Sequence, residues 1–163
     1  NPDIELVKKQ ELLATSMVIL SQGVPFLHSG QEFFRTKQMD ENSYISDDEI
    51  NLIDWERRAE FHEQVDYIKG LIKLRKSYGC FKLKSTSELD QEAEIIELNS
   101  KSLMIHYNSK CNLLIIFKPN NQEETVIIPD EYRLYLSSTE NYEVEENYEY
   151  ILKDIGTYIF IKE

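Results

Sequence analysis

The sequence predicts an α+β chain. A helical half shaped like the tail of a parallel α/β domain is followed by a small antiparallel β domain. Three observations carry this. Helical apolar periodicity runs through residues 4–21 and 62–77. Between them a short apolar run, Val24 to Leu27, opens into a long polar loop. After Cys80 the periodicity drops to two and turn-forming residues recur at short intervals.

The first helix is capped by Asp3, whose short carboxylate can accept from the free N–H groups of the first turn. Ile4, Val7, Glu11, Ala14 and Val18 fall on one helical line, and Leu6, Leu13, Met17 and Leu20 on another. The second half of this helix is apolar on most faces, so burial between a sheet and other elements is expected. Gly23 is expected to end it. Val24 to Leu27 reads as a brief buried strand starting near Pro25, since proline cannot donate inside a ladder.

Residues 29–60 read as loop, with a helical turn near Asp47–Leu52. A loop this long is usually functional or disordered. The second helix, 62–77, has an apolar stripe of Phe61, Val65, Ile68, Leu71 and Ile72. Lys69, Lys73, Arg75 and Lys76 are placed toward solvent, and Gly79 stops the helix. The candidate strands are Ala93–Leu98, Ser102–Tyr107, Asn112–Phe117, Thr125–Ile128, Tyr132–Leu136, Tyr148–Leu152 and Thr157–Lys162. Tyr142–Tyr150 reads as an edge strand whose carboxylates block aggregation. Turns are placed at 99–101, 108–110, 119–121 and 154–156. The division is 1–80 and 81–163. Two helices and one strand cannot cover a parallel sheet, so the missing strands are expected upstream of Asn1.

The bulk numbers narrow the function classes. A chain of 163 residues with net charge −12 has a surface that repels phosphate backbones, so nucleic acid is not an expected partner. No apolar run reaches the ~18–20 residues of a membrane span, and no membrane partner is expected. Cys80 and Cys111 have no metal-binding spacing and read as two unpaired thiols rather than a disulfide scaffold. No metal and no cofactor are expected. Both a cytoplasmic and a secreted location stay open.

The motif Gly23-Val24-Pro25-Phe26-Leu27-His28-Ser29-Gly30-Gln31-Glu32 resembles the segment around the eighth barrel strand of the α-amylase superfamily. The continuation Phe33-Phe34-Arg35-Thr36-Lys37, with Asn42-Ser43-Tyr44, Asn51 and Asp54-Trp55, is narrower. It resembles the type I pullulanases, glycoside hydrolases that open α-1,6 links in pullulan and branched glucans. Residues 65–75 are similar to the next helix of that family. The chain departs from the family at Ile45, where Asn or Asp is usual, and at Asp47, where Pro or Gly is usual.

The resemblance implies the last strand and flanking helices of a (β/α)8 barrel, followed by an antiparallel β-sandwich. It also implies that the catalytic carboxylates lie on earlier strands, so no residue here is expected to be catalytic and the chain alone is expected to be inert. The expected partners are an α-glucan substrate and the upstream barrel. The uncovered apolar face also invites self-association. Arg35, Lys37, Asn42, Tyr44, Asp48 and Asn51 are the candidate substrate-binding residues. Asp48 and Asn51 can meet sugar hydroxyls, since a carboxylate accepts and an amide does both; helix capping is the other reading of Asp48. Tyr44 can stack on glucose, and Trp55 can stack or pack the loop down. Arg35 and Lys37 can reach sugar, or pair with Asp40, Glu41 or Asp47. Glu32 is read as a brace for the loop and His28 as a buried imidazole. An isoamylase-like or other α-amylase superfamily hydrolase is the alternative within the class. A non-catalytic glucan-binding module is the alternative outside it.

Overall fold

In the computed structural model, which describes residues 3–108 and 110–162, five helices and eight strands form three layers. Ser109, in the expected 108–110 turn, lies outside the described residues. Helix α1 spans Ile4–Leu20 and helix α4 spans His62–Ser77. Between them lie the short helices α2, Asp48–Asn51, and α3, Trp55–Glu60; α5, Thr86–Glu92, follows. The strands are β1 Ala93–Glu97, β2 Leu103–Tyr107, β3 Leu113–Lys118, β4 Glu124–Ile127, β5 Tyr132–Ser137, β6 Tyr142–Val144, β7 Glu149–Leu152 and β8 Gly156–Lys162. They form a five-stranded sheet in the order β1-β2-β3-β8-β5 and a three-stranded sheet in the order β4-β7-β6, with antiparallel pairing throughout.

The period-2 pattern explains how the middle layer serves two cores. Leu113, Ile115, Phe117 and Ile159 point to the helices, where they meet Leu13, Ile19, Leu20, Ile68, Leu71 and Leu74. Leu114, Ile116, Tyr158 and Phe160 point the other way, to Val126, Tyr150 and Leu152 of the smaller sheet. Strand β5 breaks the alternation. A register shift between Leu134 and Leu136 puts Leu134 on the sandwich side and Leu136 on the helix side. Leu136 then presses so close to α4 that a Cβ on Gly70 would sit 3.0 Å from its Cδ2. The helical segment and the β segment thus share one core across residue 80.

Asp3 caps α1 as expected, accepting from the N–H groups of Glu5 and Leu6 at 3.1 and 3.3 Å. The second half of helix α1 packs between the larger sheet and α4 as expected, with Leu13, Ile19 and Leu20 buried, although Met17 and Val18 are exposed. It ends at Leu20, one residue short of the expected 21, and Arg75 collects its last carbonyls. Other expectations are corrected. The Arg75 guanidinium donates to Ile19 O and Ser21 O at 2.6 Å each, and also to Gly23 O. Arg75 is therefore buried, not turned to solvent; burial lowers its pKa, and the helix-end carbonyls solvate the charge. Val24 to Leu27 forms no strand, since no strand among the described residues lies beside it to pair; Val24 and Phe26 are 97% and 86% exposed. Cys80 and Cys111 are buried free thiols in contact, and burial pushes the Cys80 thiol well up.

Candidate functional site

The loop from Gly30 to Trp55 is built from its own side chains. Gly30 starts it in the left-handed region, at φ 89°, and its carbonyl accepts from the N–H groups of Phe33 and Arg35 at 3.2 and 3.0 Å. Any other residue there is strained, and its Cβ would lie 2.8 Å from the Arg35 side chain. The tight turn drops Phe33 and Phe34 into a small apolar cluster with Phe61 and Val65. Phe34 and Phe61 meet edge to face at 5.2 Å. Arg57 closes this anchor, with Nε donating to Phe33 O and Phe34 O at 3.1 and 3.0 Å and the guanidinium over the Phe61 ring.

Asn51 holds the outer half. Its Nδ2 donates to Ser43 O at 2.8 Å and Ser46 O at 2.7 Å, while its Oδ1 accepts from Lys37 Nζ at 2.7 Å. Arg35 donates to Ser29 O at 3.1 Å and to Asn51 O, and its buried Nε has no partner among the described residues. Asp40 accepts from Asn42 N–H at 2.9 Å and from the Ser46 hydroxyl. These bonds, that of Ser46 first, hold the Asp40 carboxyl below the usual carboxylate range. Asp54 caps α3 by accepting from Arg57 N–H at 2.9 Å.

The six candidate residues divide by geometry. Arg35, Lys37 and Asn51 turn inward and are committed to the loop itself; Lys37 meets Asn51 rather than a carboxylate. The side chains of Asn42, Tyr44 and Asp48 are exposed and make no bond among the described residues, and Tyr44 is 80% exposed. Asp48 does not cap α2; Asp47 occupies that position without a side-chain bond. Trp55 is 67% exposed and stays outside the Phe33–Phe34 cluster. The outward surface therefore offers aromatic faces, an amide and a carboxylate on a pre-set backbone, which suits a neutral ligand rich in hydroxyls.

Two expected roles are corrected. His28 is exposed rather than a core imidazole. Among the described residues Glu32 makes no bracing bond; Gln31 does, accepting from His28 N–H at 3.1 Å and donating to Thr15 Oγ1 on α1 at 2.7 Å. Arg57 was also missed as a structural centre, although its place three residues after a capping Asp signals an ordered helix start. Behind the loop, a cavity of about 410 Å³ runs along α1 past Glu11, Lys37, Met39 and Arg57. Burial raises the Glu11 pKa there, and Arg57 opposes the shift. Among the described residues no cluster of three or more His, Cys, Asp or Glu could hold a metal.

No family model matches the chain. It is 50% identical over 91 residues to a pullulanase of Bacillus subtilis, covering 56% of this chain and 13% of that protein. The solved type I pullulanase of Bacillus subtilis bound to maltose matches all of this chain and 24% of its own length, with TM-score 0.83 and 33% identity. The pullulanase of Paenibacillus barengoltzii in complex with maltohexaose and α-cyclodextrin matches all of this chain and 26% of its own length, with TM-score 0.87 and 28% identity. The chain thus spans about a quarter or less of the length of these relatives.

Proposed function

We propose that this chain, a pullulanase-related region, is the C-terminal part of a debranching glycoside hydrolase that cleaves α-1,6 links of α-glucans. The observation that carries this reading is its alignment with solved pullulanases over its whole length. In this reading residues 1–80 complete a (β/α)8 barrel and residues 81–163 form the sandwich that buttresses it. The exposed Val24 and Phe26 are covered by neighbouring barrel strands, and the loop lies at the strand ends where barrel enzymes gather their sites.

The chemistry is retaining glycoside hydrolysis. A nucleophilic carboxylate and a protonated carboxylic acid stand ~5–5.5 Å apart, and no cofactor is called for. Other strands of the whole enzyme supply both groups. Here Tyr44 stacks on a glucose face, Asp48 accepts from sugar hydroxyls, and Asn42 donates and accepts. Arg35, Lys37 and Asn51 hold the backbone that presents them.

A chimera tests this. The chain replaces the matching segment of the Bacillus subtilis pullulanase, and pullulan cleavage is measured. The purified chain alone should be inactive and the chimera active, with Tyr44→Ala raising KM more than it lowers kcat. A folded but inactive chimera would overturn the reading, as would hydrolysis by the chain alone.

A further inference from the structure

We propose that Cys80 and Cys111 form a redox site: in the folded chain they exchange with a small disulfide and close into a disulfide bond that pins the end of the helical half to the start of β3. This inference does not rest on the debranching reading. The chain has two cysteines, and the fold brings them together from 31 positions apart. Cys80 lies in the tight turn Gly79–Lys82 that follows α4, and Cys111 in the turn just before β3.

The backbone N–H of Cys80 donates to Cys111 Sγ at 3.1 Å, and the two thiols also hydrogen-bond to each other. A single N–Cα bond on one side and a Cα–Cβ–Sγ arm on the other join that contact to the α-carbons. These therefore fall near the ~4.4–6.8 Å separation that a disulfide spans. The surroundings hold the pair in this position. Both cysteines belong to the core cluster that contains Leu74, Phe81, Tyr107 and Leu113. Lys110, next to Cys111, ties its turn to the buried Glu92: its N–H donates to Glu92 Oε2 at 3.1 Å, and its Nζ lies 3.3 Å from Oε1. Two thiols already ordered against each other lose little further freedom on bonding.

The two sulfurs are not equivalent. Cys80 is 0% exposed and burial pushes its thiol up, whereas Cys111 is 7% exposed on its turn. A reagent therefore meets Cys111 first. As the thiolate, Cys111 attacks one sulfur of a small disulfide RSSR. The reagent S–S bond breaks, and RS⁻ leaves and takes up the proton that Cys111 lost. The Cys80 sulfur then attacks Cys111 in the mixed disulfide, and a second RS⁻ leaves with the Cys80 proton. In sum, two thiols and one RSSR give one Cys80–Cys111 bond and two RSH; the cysteines are oxidised and the reagent is reduced. The closed ring takes in α5, β1 and β2. It adds a covalent tie where the end of α4 and the start of β3 otherwise meet by packing. A disulfide of this kind should raise the folded-to-unfolded ratio by about 30- to 800-fold.

The folded full chain is incubated with bis(2-hydroxyethyl) disulfide, the remaining thiols are alkylated, and the products are mapped by mass spectrometry. The expected product is a single chain that has lost both thiols and carries the Cys80–Cys111 bond. Its urea midpoint should rise, and dithiothreitol should reverse the rise. Cys80→Ser should stop at the mixed disulfide on Cys111. Cys111→Ser should leave Cys80 unmodified until urea unfolds the chain. The map of the unsubstituted chain decides the matter should either variant fail to fold. Thiols that stay reduced in the folded chain and react only in urea would overturn the proposal. A mixed disulfide that never closes, or a bond between two chains, would overturn it as well.

Discussion

The Gly30–Trp55 loop and the sandwich of β1–β8 are ordered by opposite means. The sandwich relies on distributed apolar burial: Leu113, Ile115, Ile116, Tyr158, Ile159 and Phe160 are all fully buried between two layers. The loop has a single small apolar anchor and otherwise depends on a few polar side chains that bond backbone carbonyls. Asn51, Arg35 and Arg57 account for most of them. A core spreads the consequence of a substitution over many contacts. A polar hub concentrates it, and leaves the surrounding surface free to vary. That is a suitable division between a support and a binding surface.

The largest effect is expected in the sandwich. Phe160 sits on β8, the strand that carries one core on each face, and it packs edge to face on Tyr150 at 4.9 Å. Phe160→Ala should cost about 3–5 kcal/mol. Because α1 and α4 lean on the other face of the same sheet, helices and strands should melt together. Separate transitions in a urea titration followed by amide signals of α4 and of β8 would break the view that the two halves share a core.

Asn51→Ala should act differently. It deletes two donors to Ser43 O and Ser46 O and the acceptor for Lys37, at about 1–3 kcal/mol. The loss should stay local. Amide exchange over residues 37–52 should accelerate while the sandwich midpoint holds. A fall in global stability as large as that of Phe160→Ala would erase the distinction between hub and core.

Most of the fold was legible in the sequence. Seven strands came through within about a residue or two at each end, because alternation and turn residues are local signals. Helix α4 came through with its boundaries intact. Helix α5 was missed although Ser85 and Glu88 have capping-box spacing, and the structure shows Ser85 accepting from Glu88 N–H at 3.2 Å. The failures at Arg75, His28 and Val24–Leu27 share a cause. Whether a cation points inward, or an apolar run finds a ladder, depends on partners far along the chain, which a local pattern does not encode. In the loop, residue types marked only the candidate surface. Which polar groups face in and which face out is decided by bonds such as Asn51 to Ser43, set by the folded path alone.

The smallest expected effect is the finest test of whether the loop is preformed. Asp40 is stabilised in its charged form by Ser46 and by Asn42 N–H, so its folded pKa lies below that of the unfolded chain. A depressed carboxylate contributes stability above the unfolded value of ~3.9 and loses it as pH falls through the folded one. The side-chain carboxyl carbon of Asp40 should therefore titrate below ~3.9, and the Asn42 amide shift should follow the same midpoint. In Asp40→Asn the Asn42 response should vanish. The sandwich should be unmoved over that step, since its core there is apolar. An ordinary Asp40 midpoint would mean that the Ser46 bond is absent in solution, and the outer half of the loop would then rest on the Asn51 bonds without help from Asp40.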